Sequence, residues 1–233
     1  MDILSKLESK WGNFIVHGHA LCNKPMPFVS SKAFLNILFA PNTECVQSSF
    51  DSLDAKPLPG LIEFYKKYNG CRLFFSSLNI FGVQLYRNDL YEPYDLFREN
   101  LNIQSKFKDD NYMFFASLGG DFVFAYRKDE LCKIYAFKKG EKNLLKTYST
   151  FLDWFNYYFN ALFEEYDTEG RKVHPNDVFK EIPVLYHETN EFFNKKSRGY
   201  NLLLWLFTFT HPCPSCLIYP FSARVSIIFA AAP

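Results

Sequence analysis

The sequence predicts an α+β domain built on a single antiparallel, meander-rich sheet packed by helices. Three observations carry that prediction. Between Tyr112 and Phe137, three β-like runs (Tyr112 to Ser117, Phe122 to Tyr126, Cys132 to Phe137) are separated only by Leu118-Gly119-Gly120-Asp121 and Arg127-Lys128-Asp129-Glu130. Beyond them, Phe151, Trp154, Phe155, Tyr158, Phe159, Leu162, Phe163 and Tyr166 recur at helical spacing, a stripe wide enough to cover the sheet. The chain has 233 residues with 27 Phe and 15 Tyr, enough ring surface for a sizeable core without disulfides or metal.

From the N-terminus, Asp2 caps a short amphipathic helix whose apolar positions are Leu4, Leu7, Trp11 and Ile15. Residues 17–34, with Pro25 and Pro27, lose periodicity and read as a loop, so residues 1–40 are expected to form an N-terminal helix-and-loop extension. Pro41 opens a second helix carrying Val46, Phe50 and Leu53. Leu58-Pro59 starts a third, with Leu61, Phe64, Tyr65 and Tyr68 on one face, and Asn69-Gly70 stops it. Strands are expected over Cys71 to Phe75 and Ile80 to Tyr86, and a short helix around Leu96, Phe97 and Leu101. The long aromatic helix begins with a capping box, Thr150 with Asp153. These elements define a domain over residues 41–170, followed by a C-terminal extension over 171–198.

Charge and cysteine usage exclude several function classes. Lys plus Arg (26) nearly balance Asp plus Glu (25), so there is no field to concentrate a polyanion, and no nucleic acid is expected as partner. The first four of the six cysteines (22, 45, 71, 132) are isolated and read as reduced thiols. The N-terminus lacks a basic start followed by an apolar stretch, and no apolar run reaches the roughly 18 residues of a membrane span, so a cytoplasmic location is expected.

Read in order, a polar helix from Thr43 to Leu53, Leu58-Pro59, an apolar helix, Tyr68-Asn69-Gly70, Leu78-Asn79-Ile80-Phe81-Gly82-Val83 and Phe115-Ala116-Ser117-Leu118-Gly119-Gly120-Asp121 resemble the SUKH superfamily. That superfamily groups fungal cell-wall-assembly regulators of the Smi/Knr type with bacterial immunity proteins. The likeness covers roughly residues 41–167. It implies a non-enzymatic scaffold whose surface binds another protein, foremost an immunity protein neutralising a cognate toxin. The alternatives are an intracellular regulatory scaffold, or an enzyme assembled from spatially converging groups such as Asp121, His174 and a tyrosine.

Chemistry-bearing motifs are sparse. His17-Gly18-His19 with Cys22 lacks the second half of a zinc site, and His187-Glu188 lacks the second His of a zinc-protease helix. Gly119-Gly120-Asp121 reads as a turn, and no Gly-x-Ser-x-Gly elbow occurs. The sequence therefore predicts no catalytic residues, no metal and no cofactor. Glu164, Glu165, Asp167 and Glu169 crowd a helix C-terminus, where the macrodipole favours cations. They are the candidate contact for a basic partner such as a toxin domain, with Tyr86, Tyr91 and Tyr94 as candidate aromatic anchors; a solvated helix end and core tyrosines are the plain alternatives. From Gly199 to Pro233 the only charged residue is Arg224, and Pro212, Pro214 and Pro220 break up the apolar run. This tail is expected to be out of frame or foreign to the protein, with a buried element or a membrane-associating tail as alternatives, and Cys213 and Cys216 are not read as a zinc site.

Overall fold

The computed structural model describes residues 2–23, 36–40, 44–86 and 91–173. They lie in the first of two units, Met1–Pro183; the second, Val184–Pro233, which holds the apolar tail, falls outside the described residues. The element order is α1 (Ile3–Trp11), β1 (Ile15–His17), β2 (Ala20–Cys22), β3 (Asn36–Phe39), α2 (Glu44–Asp51), α3 (Pro59–Tyr65), β4 (Cys71–Leu73), β5 (Leu78–Ile80), α4 (Leu96–Phe107), β6 (Tyr112–Leu118), β7 (Phe122–Arg127), β8 (Glu130–Lys138), β9 (Leu144–Tyr148) and α5 (Phe151–Glu165). The nine described strands form one sheet in which each pairs antiparallel with its sequence neighbours. The fold is the α+β meander that the sequence predicts.

The sheet's two faces follow from its register, because residues directly opposite across a ladder share a face. Val123 stands opposite Phe137, and Phe124 opposite Ala136, so Phe124 and Phe137 point to opposite sides. Phe124 meets Trp154 and Tyr158 of α5 at ring-centroid distances of 5.1 and 4.9 Å. Phe137 meets Phe107 of α4 at 4.9 Å. Helices α5 and α4 therefore cover opposite faces, and the aromatic stripe of α5 does cover the sheet. Thr150 caps α5 as expected, its Oγ1 accepting from the Asp153 amide at 3.1 Å. Helix α4 is anchored by buried Asn100, which donates to the Phe114 carbonyl at 2.7 Å and accepts from the Phe114 amide at 2.9 Å.

Two short motifs meet in space. Asn69, fully buried, accepts through Oδ1 from the amides of Val83 (2.8 Å) and Gln84 (3.1 Å) and donates to the Gln84 carbonyl (2.6 Å). Gly70 has φ 88°, and a Cβ there would stand 2.7 Å from the Ile80 carbonyl oxygen. At Gly82 a Cβ would stand 2.5 Å from Pro93 Cγ. Asn-Gly and Phe-Gly are thus two halves of one joint that lets the 81–84 segment run against the start of β4.

The structure departs from the sequence reading in four places. In the stretch read as an extension with a loop, residues 15–17 and 20–22 form a hairpin, and β3 joins it to the main sheet. Helix α1 buries the expected Leu7 and Trp11 but Ile3 in place of Leu4, while Ile15 belongs to β1. The strand expected over Ile80 to Tyr86 ends at Ile80, because the Asn69 side chain takes the Val83 and Gln84 amides. Strand β9, unanticipated, pairs with β8. The expected opening of α2 at Pro41 lies outside the described residues.

Candidate functional site

The acidic end of α5 is more nearly neutral than its sequence suggests. Glu165 is 1% exposed and its Oε1 lies 2.5 Å from Lys172 Nζ, brought back by the short bridge of Tyr166 with Lys172. Burial lowers the pKa of Lys172. Asp167 organises the turn between them, accepting from the backbone amides of Glu169 and Arg171 and from Arg171 Nε, each at 2.8 Å. These contacts, the Arg171 amide foremost, hold the Asp167 carboxyl below its ordinary pKa. Arg171 also reaches Glu169 at 3.2 Å. The helix dipole is answered by Lys10 of α1, whose ammonium donates to the Phe163 carbonyl and lies 4.4 Å from the Phe163 ring centre. Trp11 closes this corner by donating to the Asp167 carbonyl at 2.9 Å. Glu164 and Glu169 remain exposed. Lys10, Arg171 and Lys172 are the charge partners that the sequence reading missed; a basic pair a few residues past an acidic helix end is the signal that marks the last two.

Of the three candidate tyrosines, Tyr86 and Tyr91 both pack against the β1–β2 hairpin, and Tyr94 stands beside Arg72. Tyr91 is 9% exposed and packs in a core cluster with Ala20, Cys22, Ile37 and Phe39. Tyr86 donates to the Ala40 carbonyl at 3.0 Å and stacks on His19 with ring centres 3.8 Å apart. Tyr94, 39% exposed, lies under the Arg72 guanidinium at 5.2 Å. His17 stands edge-on to Tyr91, so His17, His19 and Cys22 serve separate packing roles. Among the described residues no cluster of His, Cys, Asp and Glu is placed to hold a metal ion. Asp121 sits on an exposed turn, and His174, His187, Cys213 and Cys216 fall outside the described residues.

What the structure does bring together is a polar row on the α4 side of the sheet. Arg72 stands opposite Asn79, and Asn79 opposite Ser117, across β4, β5 and β6. Asn79, 3% exposed, donates to the Ser76 carbonyl at 2.8 Å and to Ser117 Oγ at 3.3 Å, while its Oδ1 has no donor among the described residues. Arg72 Nε donates to Ser76 Oγ at 3.1 Å. Above the row opens a cleft of about 220 Å³, lined also by Tyr94, Glu99, Gly119, Gly120 and Lys139. The sequence signal was present: in Cys71-Arg72-Leu73 and Leu78-Asn79-Ile80 a single polar residue occupies the middle of an apolar strand.

Residues 59–157 match the model of the SMI1 / KNR4 family (SUKH-1), a stretch that begins at the first residue of α3 and ends within α5. The chain carries a SUKH domain. The match spans the Asn69/Gly70/Gly82 joint, the meander and the polar row; β1 to β3 extend the SUKH sheet on its N-terminal side. No curated protein matches the chain. Among the described residues no helix is long and apolar enough to cross a membrane.

Proposed function

We propose that this SUKH domain acts by binding another protein, and that the partner is a toxin whose activity it blocks. Membership of a generally non-catalytic family supports a binding role. The observation that carries the reading is the outer strand β1, where Ile15 and Val16 are 47% and 68% exposed at the edge of the described sheet. An apolar sheet edge is an aggregation hazard unless a partner covers it. Trp11, bound to the Asp167 carbonyl, stands four residues before Ile15, so the acidic corner and this edge lie within about 15 Å of chain. The proposed interface has an aliphatic centre at Ile15 and Val16 and a charged rim at Glu164 and Glu169, suited to a basic toxin surface.

Co-expression with the product of the adjacent gene tests this. The expected result is a co-purifying complex and protection of growth, both weakened by Val16→Glu and, to a smaller extent, by Glu164→Lys with Glu169→Lys. A complex with a signalling protein that gives no protection would replace the toxin reading with a regulatory one. Failure to capture any adjacent gene product, or a complex indifferent to these substitutions, would overturn the proposed interface.

A further inference from the structure

The cleft above the polar row holds charges that the fold does not use. Lys139 and Glu99 line it, and neither has an ion-pair partner among the described residues. An ammonium and a carboxylate lining one small cleft leave both charges available to a ligand that carries their complements. The floor is equally unfinished, since the buried Asn79 Oδ1 lacks a donor, a deficit of the kind that bound ligands or waters make good.

The wall beside this floor is strained. Phe74, Phe75 and Ser76 have φ of 54°, 56° and 63°, a left-handed run with no glycine in it. That run sets the Ser76 carbonyl and hydroxyl, which hold Asn79 and Arg72 respectively. Strain of this kind is retained where it prearranges a site. At the mouth, a Cβ on Gly119 or Gly120 would meet nothing within 4 Å, so that side is open.

We propose that this cleft binds a small zwitterion of the α-amino-acid type, with its carboxylate on Lys139 and its ammonium directed to Glu99 and the Asn79 acceptor. The volume of about 220 Å³ suits a free amino acid and excludes a folded segment. The exposed ring of Tyr94 receives the apolar part of the ligand. No covalent step is involved, and the site is separate from the β1 edge proposed for the protein partner.

Isothermal titration calorimetry of the full chain against each proteinogenic L-amino acid tests the proposal, with propionate and propylamine as half-ligands. At least one amino acid should bind saturably, and each half-ligand at least about tenfold more weakly, because each satisfies one end of the cleft only. Lys139→Ala and Glu99→Gln should each weaken binding about tenfold or more while leaving the unliganded thermal midpoint unchanged. Absence of saturable binding by any amino acid, a half-ligand that binds equally well, or wild-type affinity in both folded variants would overturn it.

Discussion

On the α5 side of the sheet one cross-strand row reads Leu73, Leu78, Leu118, Phe122; one residue along on the α4 side the matching row reads Arg72, Asn79, Ser117, Val123. The two rows lie on the same strands and differ only in the parity of the residue. Side-chain alternation thus lets a three-residue strand contribute an apolar residue to the core and a polar one to a cleft without conflict. The α5 side is sealed by rings, Trp154 meeting Phe115 at 4.9 Å, Phe124 at 5.1 Å and Phe151 at 5.4 Å. The α4 side has its ring cluster at the far end, around Phe107, Phe114 and Phe137. The aromatic seal and the open cleft thus lie on different faces of one sheet.

The strongest way to break this contrast is Trp154→Ala, which empties a fully buried site on the sealed face. It should cost about 3–5 kcal/mol, a large share of the stability of a domain this size, read from the denaturant midpoint or as loss of soluble protein. Gly70→Ala comes next, at about 2–3 kcal/mol, because the new methyl meets the Ile80 carbonyl and the backbone resists φ 88°. Restoration of the midpoint by a second-site change at Gly70's neighbours, rather than loss, would show that the joint is adaptable.

Alkaline titration sharpens the contrast further. Burial raises the pKa of Tyr126 and Tyr158 well above 10, and for Tyr158 the neighbouring Tyr148 adds to this; on the other face burial and the Glu130 carboxylate push Tyr135 up to about 12. A phenol whose folded pKa lies above its unfolded value favours the neutral folded form. Its contribution is therefore full below pH 10 and declines as pH rises towards the folded value. Phenolate absorbance should show Tyr126 and Tyr158 ionising only together with the loss of circular dichroism, with Tyr135 ionising before it. Ionisation of all three ahead of unfolding would mean that the α5 face is not sealed. The smallest effect belongs to the polar row: Asn79→Leu removes a buried acceptor without a donor along with two hydrogen bonds, and should change the denaturant midpoint by no more than about 1 kcal/mol. A loss several times larger would make Asn79 a structural residue.

Legibility followed the length of each periodic signal. Helix α5 and strands β6 to β8 carry periodicity over enough residues to be read directly, and the order of Leu58-Pro59, Tyr68-Asn69-Gly70 and Ile80-Phe81-Gly82 was sufficient to suggest the family. Strands β1 and β2, three residues each around His17-Gly18-His19, are too short for alternation to register, and they owe their place to pairing with each other and, through β2, with β3. The acidic end was visible as composition, but its neutralisation depends on Lys10, more than 150 residues away in sequence, and on the return of Lys172. Local charge counting sees neither.

The neighbour-only order of the strands has a consequence during synthesis. Each strand finds its partner already made, so the sheet grows from β1 outward as the chain emerges. The cover for Phe115 and Phe124, however, is α5, the last helix of the series. At roughly 5–20 residues per second, the nascent chain carries a bare aromatic surface for seconds before Trp154 and Tyr158 arrive. Arrival of helix α5 therefore ends this exposure, and a ribosome pausing between Phe124 and Thr150 would prolong it.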